Sequence, residues 1–433
     1  DSVDSFEDAI DLHRRDTSTL LATIKDACSF LSFSNTVHSP NVESSGQDSP
    51  VAWHDRRLIF ATAIRNSIFL YNQLKGAWHS PPLKFGSRKT KVFCLSWAAK
   101  SDTLVAGTTE GLYVWRFGSL SSDNIEHINP SVSQLPCYLS LFPQKQYIRA
   151  LQNCPHGRLF CTLSSLEGDR CARLLIWDLF TLDCTELDIL PSGIGASGLV
   201  INWSPSGEYI AIGTSLGNVL VVDCETWDHT LLCSLSSAIT NLQWCSHCDI
   251  IVSSQSSLLL HVISVSNPKT RRHAESRAVK LPEPICGDVS PCPLDLNAYL
   301  QDILDDLKHT QQDVLPIDGG NYEVACIGVD ITEGFMAVAF RHIKENKVLP
   351  FIALSVFRSR PFLTISLVRV IAATADAGAE AHPIKLMFRP FIVDDNTRGC
   401  STAGSSSLTS IYTSTLLVVW STEVISLELC SVK

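Results

Sequence analysis

The closest pair of cysteines in the chain is Cys245 and Cys248, in the run Cys245-Ser-His-Cys248. Two thiolates with an imidazole between them could form part of a tetrahedral zinc shell. A structural zinc takes four ligands, usually from two such pairs. Cys286 and Cys292 are spaced too loosely to be the second pair. Cys245 and Cys248 are therefore expected to be free thiols in a turn. The sixteen cysteines are otherwise spread singly, and Cys94, Cys161 and Cys326 sit inside apolar runs. That usage fits small buried hydrophobes in a reducing compartment, with no disulfide expected. Acyl-transfer, zinc-protease and phosphate-cradling motifs are absent. Arg271-Arg272-His273, with Lys269 just before, is a short basic run. With a net charge of −10 and a pI near 5.7, it reads as a solvated loop rather than a nucleic-acid patch.

The elements that would position such groups are set by a repeat. Trp53, Trp97, Trp203 and Trp244 each end a short apolar run, at spacings of 44, 106 and 41 residues. The middle gap is two periods, with one copy lacking its Trp. The clearest copy runs Gly198-Leu-Val-Ile-Asn-Trp203, then the turn Ser204-Pro-Ser-Gly207, then Glu208 to Gly213 and Gly217 to Asp223. Seven copies follow one another, with first-strand cores near Trp53, Trp97, Leu151, Trp203, Trp244, Val329 and Phe388. A repeat of about 40 to 50 residues with this content predicts β-propeller blades. The runs are short, rich in Val, Ile, Leu and aromatics, and bounded by Gly, Ser, Asp and Pro, which is strand chemistry. Central strands are covered on both faces by neighbouring blades, so near-continuous apolar runs are expected there. Outer strands are expected ahead of each copy, as at Leu182 to Leu187 and Thr230 to Leu235.

The expected fold is all-β: a seven-bladed WD40-like β-propeller over 51–433, with an N-terminal segment over 1–50 and an insertion over 265–322 between blades five and six. With 433 residues, 45% of them apolar, one ring absorbs nearly the whole chain. Trp97, Trp203 and Trp244 are expected buried, and Trp78 and Trp227 more exposed. Residues from Ser5 to Leu12 read as a short capped helix, and Ser34 to Ser49 as loop. In the insertion, Leu294, Leu296, Tyr299, Leu300, Ile303, Leu304 and Leu307 make a helical stripe, suited either to the propeller rim or to a partner. Asp394 to Ser410 reads as a surface loop within copy seven. The last copy lacks an outer strand of its own, so the run Cys28 to Phe33 is expected to pair with residues near 424–429 and fasten the ring. No run of about 20 apolar residues is present. Beginning at Asp1, the sequence is expected to be processed or truncated.

Most copies lack the Gly-His and Trp-Asp dipeptides of ordinary WD40 repeats, and only Trp177-Asp178 stands at the expected strand end. The pattern resembles the aladin family of WD-repeat nucleoporins. The likeness rests on Val51-Ala-Trp-His54 with Ile59 to Ala63 and Ser67 to Asn72, and on Leu174 to Asp178 with Asn202 to Gly207 and Glu225-Thr-Trp227. It continues with Pro350 to Pro361 and Trp420-Ser-Thr422. These occur in the family's order over 51–430. The family's longer leading segment and its polar tail are missing, and the 294–307 helix has no counterpart in it. The resemblance implies a non-enzymatic component of the nuclear pore complex at the nuclear envelope, held through a transmembrane nucleoporin and supporting protein import. Other nucleoporins are the implied partners, with no cofactor and no direct nucleic acid. A WD-repeat adaptor in a ubiquitin ligase or a trafficking coat remains open, as does a propeller enzyme. The enzyme would need His and carboxylates gathered at the channel mouth, and no Asp, Glu or His recurs at one repeat position. No catalytic, cofactor-binding, metal or protein-interaction residue is assigned.

Overall fold

Each repeat builds one sheet. The computed structural model describes residues 36–38, 50–54, 59–64, 66–72, 77–78, 82–86, 89–98, 102–117, 137–139, 146–166, 172–188, 199–265, 292–297, 300–301, 303, 322–331, 334–343, 347–358, 364–372, 383–388, 411–420 and 423–432. Among them are seven antiparallel sheets of four strands, one with an additional short strand. The sheets form a WD40-like β-propeller. Their innermost strands are Val51–Trp53, Val92–Ala98, Gln146–Asn153, Val200–Trp203, Ile239–Trp244, Tyr322–Val329 and Pro383–Phe388. Successive innermost strands lie side by side around the channel. The Lys385 ammonium links the last to the first, donating to the Val51 carbonyl at 3.0 Å.

Burial falls from the middle of a blade to its rim. The second strands Thr103–Thr108, Tyr209–Gly213 and Asp249–Ser254 are buried at every position, whereas the outer strand His229–Ser234 has no buried residue. This is why the central runs are not alternating: both of their faces meet a neighbouring blade. Apolar clusters join each consecutive pair of blades from one–two through six–seven. Contact is close enough to demand small residues. At Gly107 a Cβ would come within 2.5 Å of Cys94 Sγ and 2.6 Å of Ile148 Cγ2, so blade three seats directly on the backbone of blade two.

Trp97, Trp203 and Trp244 are buried at 7%, 5% and 2% exposure. The turn after Trp203 shows how the repeat fixes its ring. Gly207 takes φ +71°, which favours glycine, and its carbonyl accepts from Trp203 Nε1 at 3.1 Å. Trp244 Nε1 instead donates across the blade interface to the Asn202 carbonyl at 3.2 Å. The Trp97 indole N–H is buried without an acceptor among the described residues. Trp227 is half-buried, and its φ of +61° matches Leu182 at +63° in the preceding blade. Both follow the same Asp-based turn. Asp178 Oδ1 accepts from Phe180 and Thr181, and Asp223 Oδ1 from Glu225 and Thr226. The side chain of Trp78 lies outside the description.

Three expectations change. The outer strand completes the sheet of the copy before it: Cys184–Leu187 pairs with Arg173–Asp178, and His229–Ser234 with Asn218–Asp223. Leu294 belongs to no helix. It lies on Cys292–Asp295, the outer strand of blade five, opposite Leu260. Leu296, Leu300 and Ile303 of the expected stripe are buried in the apolar cluster between blades five and six, while Asn297 and Gln301 are exposed. Of the two uses weighed for that stripe, packing on the propeller is the one observed. Finally, the closing strand is Thr36–His38, inside the stretch expected as loop. Thr36, Val37 and His38 pair with Ile425, Val424 and Glu423. The edge that needs covering is met by the first β-branched pair after the run at 28–33. That run, the helix at 5–12, the basic run at 269–273 and the loop at 394–410 lie outside the described residues.

Two outcomes follow. A chain lacking residues 1–35 keeps the closing strand and melts near the intact chain, whereas one lacking 1–38 melts distinctly lower; equal melting of the two truncations would contradict this closure. Trp97→Ala, Trp203→Ala and Trp244→Ala each cost about 3 to 5 kcal/mol in denaturant titrations. Trp244→Phe costs about 1 kcal/mol more than Trp97→Phe, because only Trp244 surrenders an inter-blade hydrogen bond.

Candidate functional site

The innermost strands share a local irregularity that no apolar pattern announces. Five of the seven carry a β-bulge near their start, at Phe93, Arg149, Thr240, Ala325 and Ile384. In each case the bulged residue stands four positions before the residue at the Trp position: Trp97, Asn153, Trp244, Val329 and Phe388. Bulges bend a strand and re-aim the side chains beside them. Repeated around a ring, they shape one end of the channel. The residues just after the bulge are Cys94, Ala150, Asn241, Cys326 and Lys385.

Polar side chains tie these strands together. Asn153 Nδ2 donates to Ser96 Oγ at 2.8 Å, joining blades three and two. Gln243 Nε2 donates to the Ile327 carbonyl at 2.6 Å, joining five and six. At the bulged end, Glu323 accepts from the Ser256 backbone at 2.8 Å and meets Arg341 Nη1 at 3.3 Å. Lys385 keeps accessible surface in the channel yet is ringed by protein atoms. That crowding desolvates its ammonium and lowers its pKa, an effect partly offset by the Cys94 thiol.

The pair most like a catalytic one is His54 and Asp102, with Nε2 and Oδ1 3.1 Å apart. His54 is only 2% exposed, and its ring lies 4.9 Å from that of Trp97. It ties blade one to blade two behind an indole, where no substrate reaches it. Trp177, in the Trp-Asp dipeptide that stands at a strand end, is likewise structural. It stacks on Phe160 at 5.8 Å and donates to Thr162 Oγ1 at 3.0 Å. Neither Cys245 nor Cys248 is in a disulfide. Cys245 Sγ donates to the Asp249 carbonyl at 3.3 Å, and Cys248 Sγ lies 3.8 Å from Ser246 Oγ. Among the described residues no three His, Cys, Asp or Glu side chains are grouped to hold a metal ion. No described helix is long and apolar enough to cross a membrane.

The comparisons with known proteins speak to the fold. No family model and no curated protein matches the chain. Solved structures do match, 1417 chains in all, too many to single out one function. A chain from the crystal structure of the mitotic checkpoint complex aligns with 92% of this chain and 93% of its own length. Its TM-score is 0.55 at 12% identity. The β-propeller domain of Myceliophteria thermophila Cps50 (Swd1) covers 90% of this chain and 99% of its own, with a TM-score of 0.52 at 12% identity.

Burial of the thiols makes stability fall in alkali. Burial pushes Cys94, Cys224 and Cys326 from a reference of 9.0 up to about 12, and Cys161 is raised as well. Between those values the unfolded chain has lost thiol protons that the folded chain retains, so stability drops as pH rises. Lys385 works the other way, its folded pKa being depressed, but it is one group against four. Denaturant titrations are expected to give a lower unfolding free energy at about pH 10 than at about pH 8, with a shallower decline in Cys94→Ala/Cys326→Ala. A flat profile in the parent chain would contradict the burial of these thiols.

Proposed function

We propose that this chain is a non-enzymatic scaffold of the nuclear pore complex. In this reading it is held at the pore membrane through a transmembrane nucleoporin and supports protein import. The observation that carries it is the ordered run of aladin-like motifs over 51–430. The segments that carry the likeness are also blade strands: Val51–Trp53, Ile59–Ile64, Ser67–Asn72, Arg173–Asp178, Val200–Trp203 and Lys347–Arg358. The motifs thus share one architectural context rather than being scattered matches. The propeller supports a binding role, since it presents a rigid rim, two loop-bearing faces and a channel. The buried His54–Asp102 pair joins blades one and two.

A WD-repeat adaptor in another assembly is the second reading. It is favoured by the structural neighbour taken from the mitotic checkpoint complex, where a propeller of this shape sits in a multiprotein assembly. Both readings give the chain protein partners and no turnover. They differ in where it resides.

Affinity purification of a tagged full-length chain from nuclear envelopes is expected to recover a transmembrane pore nucleoporin, and imaging to give a nuclear rim. Recovery of ubiquitin-ligase or coat subunits without pore components would select the second reading and reject the first.

A further inference from the structure

The innermost strands of blades two and three begin side by side at one mouth of the channel, and each presents its bulged residue there, Phe93 and Arg149. Arg149 is exposed, with its guanidinium carbon 4.3 Å from the centre of the Phe93 ring and 5.6 Å from that of Tyr147. The Lys91 ammonium lies 5.6 Å from the same Phe93 ring. Phe93 is half-buried, so it is a fixed platform with two cations over it. The two charges fall within about one Debye length of each other, ~10 Å at 0.1 M salt. Lys385 is placed on the corresponding stretch of blade seven, just past its bulge, with Cys94 of blade two among its electrostatic neighbours.

None of these three cations is matched by a carboxylate among the described residues. The ion pairs described there are His54–Asp102, Arg158–Asp178, Arg173–Glu186 and Arg341–Glu323. Yet the chain carries 44 acidic residues against 34 basic ones. The Lys91 and Arg149 charges over one ring repel each other, and an anionic ligand relieves that repulsion. A guanidinium stacked on an aromatic face keeps its N–H edges free for a carboxylate. The inner edge of every innermost strand is also unpaired in its sheet, leaving backbone donors and acceptors facing the channel.

We infer that this mouth binds an acidic peptide segment of a protein partner, its carboxylates on Arg149, Lys91 and Lys385 and its apolar atoms on Phe93 and Tyr147. Nucleic acid is disfavoured by the net charge of −10, which repels a polyanion over most of the surface. A lone small anion would leave both the spread of the cations and the aromatic platform unused.

The test uses the full chain and fluorescein-labelled hexaglutamate and hexaglutamine peptides, read by anisotropy at low salt. Hexaglutamate is expected to bind and hexaglutamine not, with affinity falling as salt rises. Lys91→Ala/Arg149→Ala is expected to weaken binding about tenfold, the scale of two partly exposed charge pairs. Arg158→Ala is the control, since Arg158 is exposed in a turn at the other end of the blade. Thermal melts establish that each variant is folded, and Lys91→Ala alone serves if the double variant is not. Equal binding of the two peptides, or unchanged affinity in the folded variants, would overturn the proposal. Displacement of hexaglutamate by inorganic phosphate at matched ionic strength would overturn it in favour of a small-anion site.

Discussion

The ring depends on one short antiparallel pairing. Thr36, Val37 and His38 lie against Ile425, Val424 and Glu423, at the outer edge of the last blade. Without that strand the last blade is a three-stranded sheet with a bare edge, and the chain's two ends are joined only near the channel. A bare edge strand exposes a row of backbone groups and invites pairing with another chain. Closure turns a linear array, in which the first and last blades each lack one neighbour, into a ring in which every blade is flanked on both sides. The Lys385–Val51 hydrogen bond marks the same junction from the inside. The last and first blades are therefore held at both rim and channel.

Between those junctions, cohesion comes from packing blade on blade. Each second strand is covered on both faces, which is why residues such as Ile210, Ile212, Ile250 and Val252 are fully buried without alternation. Close approach has a local requirement. Gly107 receives Ile148 and Gly213 receives Ile239, and in each case the next blade's branched side chain occupies the space a Cβ would take. Polar ties from Asn153, Gln243, Trp244 and Glu323 then fix how each blade is rotated against its neighbour. A channel mouth built on such strands is a rigid frame, and side chains set on it lose little freedom when they bind.

The ring was readable from the sequence because tryptophans and aliphatic runs recur with the period of a blade, and burial between blades permits little else. The position of the fourth strand was harder. Cys184–Leu187 and His229–Ser234 carry the mixed polarity of an exposed rim, so their pattern says strand but not which sheet. Leu294 fitted a helical stripe because Leu296, Leu300 and Ile303 do form a buried helical face, and a strand ending at Asp295 is indistinguishable by periodicity alone. The closing strand is three residues long, below what an apolar pattern can mark, and the stronger run at 28–33 drew the expectation. The bulges at Phe93 and Arg149 were invisible for a different reason. A bulge is a relation between two strands, and neither strand's sequence states it.

In the proposed reading the ring is a binding platform whose specificity lies in side chains mounted on its strands. That account rests on a closed, cooperative ring. Hydrogen–deuterium exchange of the intact chain, followed by mass spectrometry, measures this directly. A closed ring predicts that the amides of Ile59–Ile64 in the first blade and Ile411–Trp420 in the last exchange as slowly as those of Tyr209–Gly213 in the fourth, all limited by global unfolding. Rapid exchange in the first and last blades while the fourth stays protected would show an open array, and would contradict the account.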